Sequence, residues 1–182
     1  MLLIGLVGGK GVGKSTAASY LCENHGFVEY AIADPLKQTL MHMFSLTRRQ
    51  LYGDLKEVVD PRWNVTPRTI MQRFGTDIVR NNMHEHFPEI EYNRSHWLKL
   101  FEMNRESLGN YVVVSDVRFA DEATAIRDMG GMLIYISRSW EGKSVDEHES
   151  EKQHHGILTD VVVNNDKSIS DFLKQISNIV KE

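Results

Sequence analysis

Apolar positions along this chain alternate between short continuous runs and helically spaced sets. Leu2 to Val7 is a brief apolar run suited to a buried parallel strand. Residues 15–22 follow with helix-forming spacing, and Phe27 to Ala33 alternates loosely as a second strand. Asp34-Pro35 then opens a helix, with Asp34 expected as N-cap and Pro35 at N1, and with Leu36, Leu40, Met41 and Phe44 on its apolar side. Residues 47–64 are polar and irregular; a short helix at Arg48–Leu51 precedes a loop closed by Asp60-Pro61. Thr66-Pro67 starts another helix with Ile70, Met71, Phe74 and Ile78 as its expected apolar face. A helix opened by Asn93 or Ser95 carries Trp97, Leu98, Leu100 and Phe101 and ends near Leu108-Gly109.

Tyr111 to Val114 is the strongest strand signal, continuous and β-branched, and should lie centrally in a sheet. It runs into Ser115-Asp116-Val117-Arg118. A helix over about 119–129 ends at Gly130-Gly131, the strand Met132–Ile136 ends at Ser137-Arg138, and residues 140–155 are dense in charge. Val161–Asn164 reads as the last strand, before a terminal helix capped by Ser168. Five short strands alternating with helices predict an α/β fold with a five-stranded parallel sheet flanked by helices. The charged stretch, about 138–156, is expected to be a small mobile lid.

Composition narrows the picture. At 182 residues and 20.9 kDa the chain reads as a single domain over 1–182. A net charge of −4 argues against nonspecific nucleic-acid binding as its task. The lone cysteine, Cys22, excludes an internal disulfide and suits a reducing compartment. The first apolar run is too short for a signal sequence and no stretch reaches the length of a membrane span, so a cytoplasmic location is expected.

The chemistry is carried by residues 8–16, Gly-Gly-Lys-Gly-Val-Gly-Lys-Ser-Thr. They meet the phosphate-loop pattern G-x-x-x-x-G-K-[ST] in its required strand–turn–helix context, which predicts a P-loop NTPase fold. Gly8, Gly11, Val12 and Gly13 would present amides to a triphosphate, with Lys14, Ser15 and Thr16 opening the helix whose N-terminus favours negative charge. Lys14 is expected on the β- and γ-phosphates, and Ser15 on a Mg²⁺ ion bound with ATP. Such a loop also serves GTPases and large ATPases. However, Asn164-Asn165-Asp166-Lys167 does not match the GTPase N-K-x-D, and Val112–Val114 with Ser115-Asp116 is only part of the large-ATPase acidic strand. A small kinase fits best.

Phosphoryl transfer between two anionic substrates needs several cations and exclusion of water. Lys37, Arg68, Arg118, Arg138 and Lys143 stand near predicted strand ends or in the charged stretch. Asp116 suits either a general base or a partner of Mg²⁺-bound water, and the sequence leaves both open. Arg68, Gln72 and Thr76 recur at i, i+4 and i+8 along one helical side. On spacing alone a solvent-facing stripe explains them. Gly75, in mid-helix, hints at close approach by backbone or ligand.

Several further segments occur in one order: Ala33-Asp34-Pro35-Leu36-Lys37, Arg68-x-x-Met71-Gln72-x-x-Gly75-Thr76-Asp77, His96-Trp97-Leu98-Lys99-Leu100-Phe101, Ser115-Asp116-Val117-Arg118 and Asp146-x-His148-x-x-Glu151. With the phosphate loop they resemble the bacteriophage deoxynucleoside-monophosphate kinases, a branch of the nucleoside monophosphate kinases. The resemblance implies transfer of the ATP γ-phosphoryl to a deoxynucleoside 5′-monophosphate, in a host-cell cytoplasm if the chain is phage-encoded. It implies an acceptor-binding region at about 34–106, using Asp34, Lys37, Arg68, Gln72, Gly75, Thr76, Asp77, Trp97 and Arg118. Arg68 would hold the monophosphate, Gln72 would read the base edge, and Trp97 would either stack or pack. Lys14, Asp116, Arg118 and Arg138 form the expected catalytic set. Asn165 is counted with the ATP-binding residues, Ser15 and Asp116 with the metal, and His148 and Glu151 with the lid. This chain is short between Phe44 and Pro67, where longer relatives carry an insert, so a homodimer stays open. Nucleic-acid polymers and membranes are not expected partners. Two alternatives remain at this point: a phosphate-loop kinase of another small acceptor, such as phosphomevalonate or dephospho-coenzyme A, and a nucleotide-binding switch.

Overall fold

A computed structural model describes residues 2–90, 95–139 and 156–181. Lys143, His148 and Glu151, and with them most of the expected lid, lie outside the described residues. The chain forms two compact units, one of Met1–Ile32 with Phe101–Glu182, the other of Ala33–Leu100.

The first unit is built on a parallel sheet of β1 (Leu2–Val7), β2 (Val28–Tyr30), β3 (Tyr111–Val117), β4 (Met132–Ser137) and β5 (Val161–Asn164), in the order β2-β3-β1-β4-β5. The first apolar run is thus the middle strand, flanked by the β-branched β3 and by β4. Helices α1 (Lys14–His25), α7 (Ala120–Asp128) and α8 (Ile169–Ile179) belong to this unit. Ile4, Leu6, Ala17, Leu21, Val113, Ile134, Phe172 and Ile176 are all buried in one core cluster. Because β3 and β4 lie on opposite sides of β1, connections leaving the sheet diverge at its carboxyl edge, where ligands bind in folds of this class.

The β1–β3 register carries a functional detail. Gly5 pairs with Val114 but Val7 pairs with Val117, so Leu6 faces two residues, Ser115 and Asp116. This bulge lets β3 run past its expected end at Val114 and re-aims the side chains at its exit.

In the second unit α2 (Asp34–Met43), α3 (Arg48–Tyr52), α4 (Pro67–Gln72) and α5 (Asn81–His86) follow in order, and α6 (His96–Asn104) begins here. Thr66 caps α4 as expected, its Oγ1 accepting from Thr69 N–H. The cap expected at Asp34 falls one residue earlier, at Ala33, whose side chain can accept nothing; the Asp34 carboxylate instead accepts from Lys37. Residues 73–80 continue α4 as π-helix rather than α-helix. A π turn takes an extra residue, and the α-helical phase is lost beyond Gln72. Ile78, expected on the buried face, is 51% exposed, and Val79 is buried at 3% in its stead. The same change removes the basis for aligning Thr76 with Arg68 and Gln72 by spacing.

Among the described residues, no helix is long and apolar enough to cross a membrane.

Candidate active site

In the first unit the loop between β1 and α1 is shaped by its glycines. Gly8, Gly11 and Gly13 have φ of 141°, 81° and 116°, conformations that side chains disfavour. A Cβ on Gly8 would also strike the Ile136 carbonyl oxygen, and one on Gly13 would lie 2.6 Å from Asn165 Nδ2. Lys14 Nζ donates to the carbonyls of Gly8 and Gly9, at 2.6 and 2.6 Å, so the ammonium is drawn back over the loop. Ser15 and Thr16 are exposed on the first turn of α1, while Val12 is buried. The result is an anion cradle lying on a helix N-terminus.

The carboxyl ends of β3 and β4 supply further charged groups. Asp116 Oδ1 accepts from Ile32 N–H at 2.7 Å, so part of this carboxylate ties down the chain just after β2. Arg118 leaves the end of β3 through a turn held by Glu122. That side chain is buried at 3%, and its Oε2 accepts from the N–H groups of Arg118 and Phe119, at 2.8 and 3.1 Å. Glu122 was not foreseen. Its signature, an acid three residues after a helix cap, is blurred because the cap is Phe119, which has no acceptor. Beyond β4, Ser139 N–H donates to Asp166 Oδ1 at 2.6 Å, fixing the backbone next to Arg138. The Asp166 carboxyl is held below the usual carboxylate range, chiefly by its hydrogen bonds from Ser139, with the Arg138 charge a smaller cause. Asn165 does not extend toward solvent; its amide is buried against the phosphate loop and donates to Val12 O at 2.7 Å.

The second unit gathers most of the residues expected on the acceptor side. Lys37 Nζ lies 3.1 Å from Asp34 Oδ1 and 4.3 Å from the centre of the Tyr52 ring. Arg48 approaches the same ring at 4.8 Å. Burial, then the charge and hydrogen bond of Asp34, raise the Tyr52 phenol. Tyr52 and Arg48 lie in the stretch whose sequence is irregular and carries no motif, so nothing there announced them. Arg68 Nε lies 3.0 Å from Glu57 Oε1. The Arg68 side chain is 18% exposed and that of Glu57 57%, so the guanidinium is largely withdrawn from solvent while its partner is not. Gln72 and Thr76 are half-buried and Asp77 is exposed.

Gly75 and Trp97 explain one another. A Cβ on Gly75 would run into the Leu36 side chain, so the close approach hinted at by this glycine is made by α2. Trp97 is buried at 8%, and its Nε1–H donates to Gly75 O at 2.9 Å. Trp97 is thus packed inward with its indole N–H given to backbone.

Sheet order, loop and helix N-terminus define the P-loop kinase fold. Shikimate kinase from Aquifex aeolicus superposes with a TM-score of 0.55 at 14% identity, covering 98% of this chain and 96% of that one. The sequence relationship is narrower. The model of the deoxynucleotide monophosphate kinase family matches residues 2–58 and 50–176. A protein of Acanthamoeba polyphaga mimivirus, provisionally named as such a kinase, is 42% identical over 99% of this chain and 96% of its own length. The deoxynucleotide monophosphate kinase of Enterobacteria phage T4 is 25% identical over 100% of this chain and 99% of its own. The chain belongs to the deoxynucleotide monophosphate kinase family.

Proposed function

We propose that this enzyme transfers the γ-phosphoryl group of ATP to the 5′-phosphate of a deoxynucleoside monophosphate. The observation that carries the reading is the loop at 8–16, with its left-handed glycines and the Lys14 ammonium lying over it, in a chain of this family. The acceptor chemistry is undemanding in one respect. A phosphate monoester has its second pKa at about 6, so it is largely dianionic near pH 7 and attacks without a general base. That favours a supporting role for Asp116, whose Oδ1 already holds Ile32 N–H, over the role of base.

The remaining task is positioning and neutralisation of charge. In this reading the loop amides and Lys14 bind the donor β- and γ-phosphates. Arg118 and Arg138 stabilise the charge spreading over the transferred group, and Arg68 anchors the acceptor phosphate. Asp34, Lys37, Gln72, Thr76 and Asp77 surround the nucleoside, with Gln72 offering both donor and acceptor to a base edge. Trp97 supports Gly75 beneath that face. Ser15 and Asp116 would hold Mg²⁺, whose charge would offset that of the donor phosphates.

A coupled assay of ADP release with ATP and each deoxynucleoside monophosphate in turn tests the reading. Acceptor-dependent ADP with at least one of them is expected. Turnover that ignores the acceptor, or none with any, overturns it.

A further inference from the structure

Asn165, expected at the donor site, has its side chain buried against the loop. The turn that carries it is rigid: its own N–H donates to Ser137 O at 2.9 Å, Asp166 N–H donates to Asn164 Oδ1 at 2.9 Å, and Asp166 Oδ1 holds Ser139 N–H. From this fixed point Nδ2 donates to Val12 O at 2.7 Å, and only the NH₂ end of an amide can face a carbonyl.

The consequence lies on the other side of that peptide. In a planar trans peptide the C=O and the following N–H point in opposite directions. Drawing the Val12 carbonyl toward Asn165 therefore turns the Gly13 N–H away from it. Gly11 and Gly13 flank Val12 in backbone conformations reserved largely for glycine, so local preference resists rotation of this peptide only weakly. The buried Val12 side chain and the Asn165 amide are what select one orientation. We propose that Asn165 is a positioning residue for the donor nucleotide. It aims the Gly13 N–H at the triphosphate through the Val12–Gly13 peptide and makes no contact with the base. This inference rests on the reading of residues 8–16 as the donor phosphate site.

The test uses the full chain without acceptor, titrated with ATP, GTP and inorganic tripolyphosphate. Asn165→Asp keeps the size of the side chain but turns an oxygen toward Val12 O; Asn165→Ala removes it. Asn165→Asp is expected to weaken binding by about tenfold or more, at least as much as Asn165→Ala, and by the same factor for all three ligands. Its affinity should recover as pH falls, because a protonated carboxyl can donate again. Near-normal affinity in Asn165→Asp would make the role one of packing only. A loss confined to ATP or GTP would make it a base contact. Either overturns the proposal. Should the variants not fold, wild-type NMR serves: the Gly13 amide proton is expected to shift downfield with tripolyphosphate, and an unmoved signal is equally fatal. Wild type that binds triphosphate but phosphorylates no acceptor removes the proposed reaction and leaves this role standing; wild type that binds none removes the donor site itself.

Discussion

Trp97→Phe separates two roles that an alanine substitution would confuse. Phenylalanine keeps an aromatic face but has no N–H, so a stacking function would largely survive and a hydrogen-bonding one would not. In the structure Trp97 is 8% exposed and its Nε1–H donates to Gly75 O at 2.9 Å. Removing a donor from a buried carbonyl costs about 1–3 kcal/mol. The smaller ring leaves about 40 Å³ unfilled, worth about 1 kcal/mol more at the usual cost per unit of cavity volume. The sum, about 2–4 kcal/mol, corresponds to a fall in Tm of about 5–15 °C for a chain of this size. Thermal and urea unfolding measure it, alongside acceptor KM for purine and pyrimidine monophosphates. Any rise in KM should be similar for all bases, since the change reaches the acceptor face only through Gly75. A Tm within about 2 °C of wild type would refute the reasoning, and a KM rise specific to one base with unchanged stability would return Trp97 to stacking.

Other outcomes follow from the same geometry. Asp60 is buried at 3% and accepts from Arg62 N, Nε and Nη2 and from Gln50 Nε2, at 3.0, 2.9, 2.6 and 2.7 Å. The Arg62 hydrogen bonds hold its carboxyl far below the usual range. Its contribution to stability is therefore present above the unfolded value of about 3.9 and is lost as pH falls below it. The stability gap between wild type and Asp60→Asn should stay level from about pH 7 to 5 and close below about 4; a gap undiminished at pH 3 would contradict this. Arg68→Ala should raise acceptor KM with little change in ATP KM, and an unaltered acceptor KM would sink that assignment. Lys14→Ala or Arg118→Ala should each lower kcat by about 10³ or more, the scale of losing a transition-state cation. Near-normal turnover in a folded variant would remove that residue from the reaction.

Much of this protein was already legible in its linear pattern, because many of its features are local. The strand at Leu2–Val7, the glycine turn and α1 are contiguous, and a phosphate cradle needs little beyond that run. Strand β3 carries the β-branched run Val112–Val114, and Thr66 and Ser168 cap their helices with their own side chains. The resemblance added an acceptor side that spacing alone would have left as a solvent-facing stripe. What periodicity could not carry was anything that breaks the repeat it assumes. The π-helix at 73–80 exchanges Ile78 for Val79 at the buried face, and the bulge at Ser115–Asp116 prolongs β3.

Tertiary structure alone decided which polar groups hold backbone distant in the chain. Asn165 is 153 residues from Val12 in sequence, and Asp116 is 84 from Ile32, yet each makes a hydrogen bond that only the sheet order brings within reach. Trp97 likewise serves the Gly75 carbonyl, 22 residues away. Glycine and lysine in the loop announce a donor site because their chemistry acts where they stand. Asn165 and Trp97 act on whatever the fold places against them, and that depends on the packed sheet and helices rather than on the residues beside them in the chain.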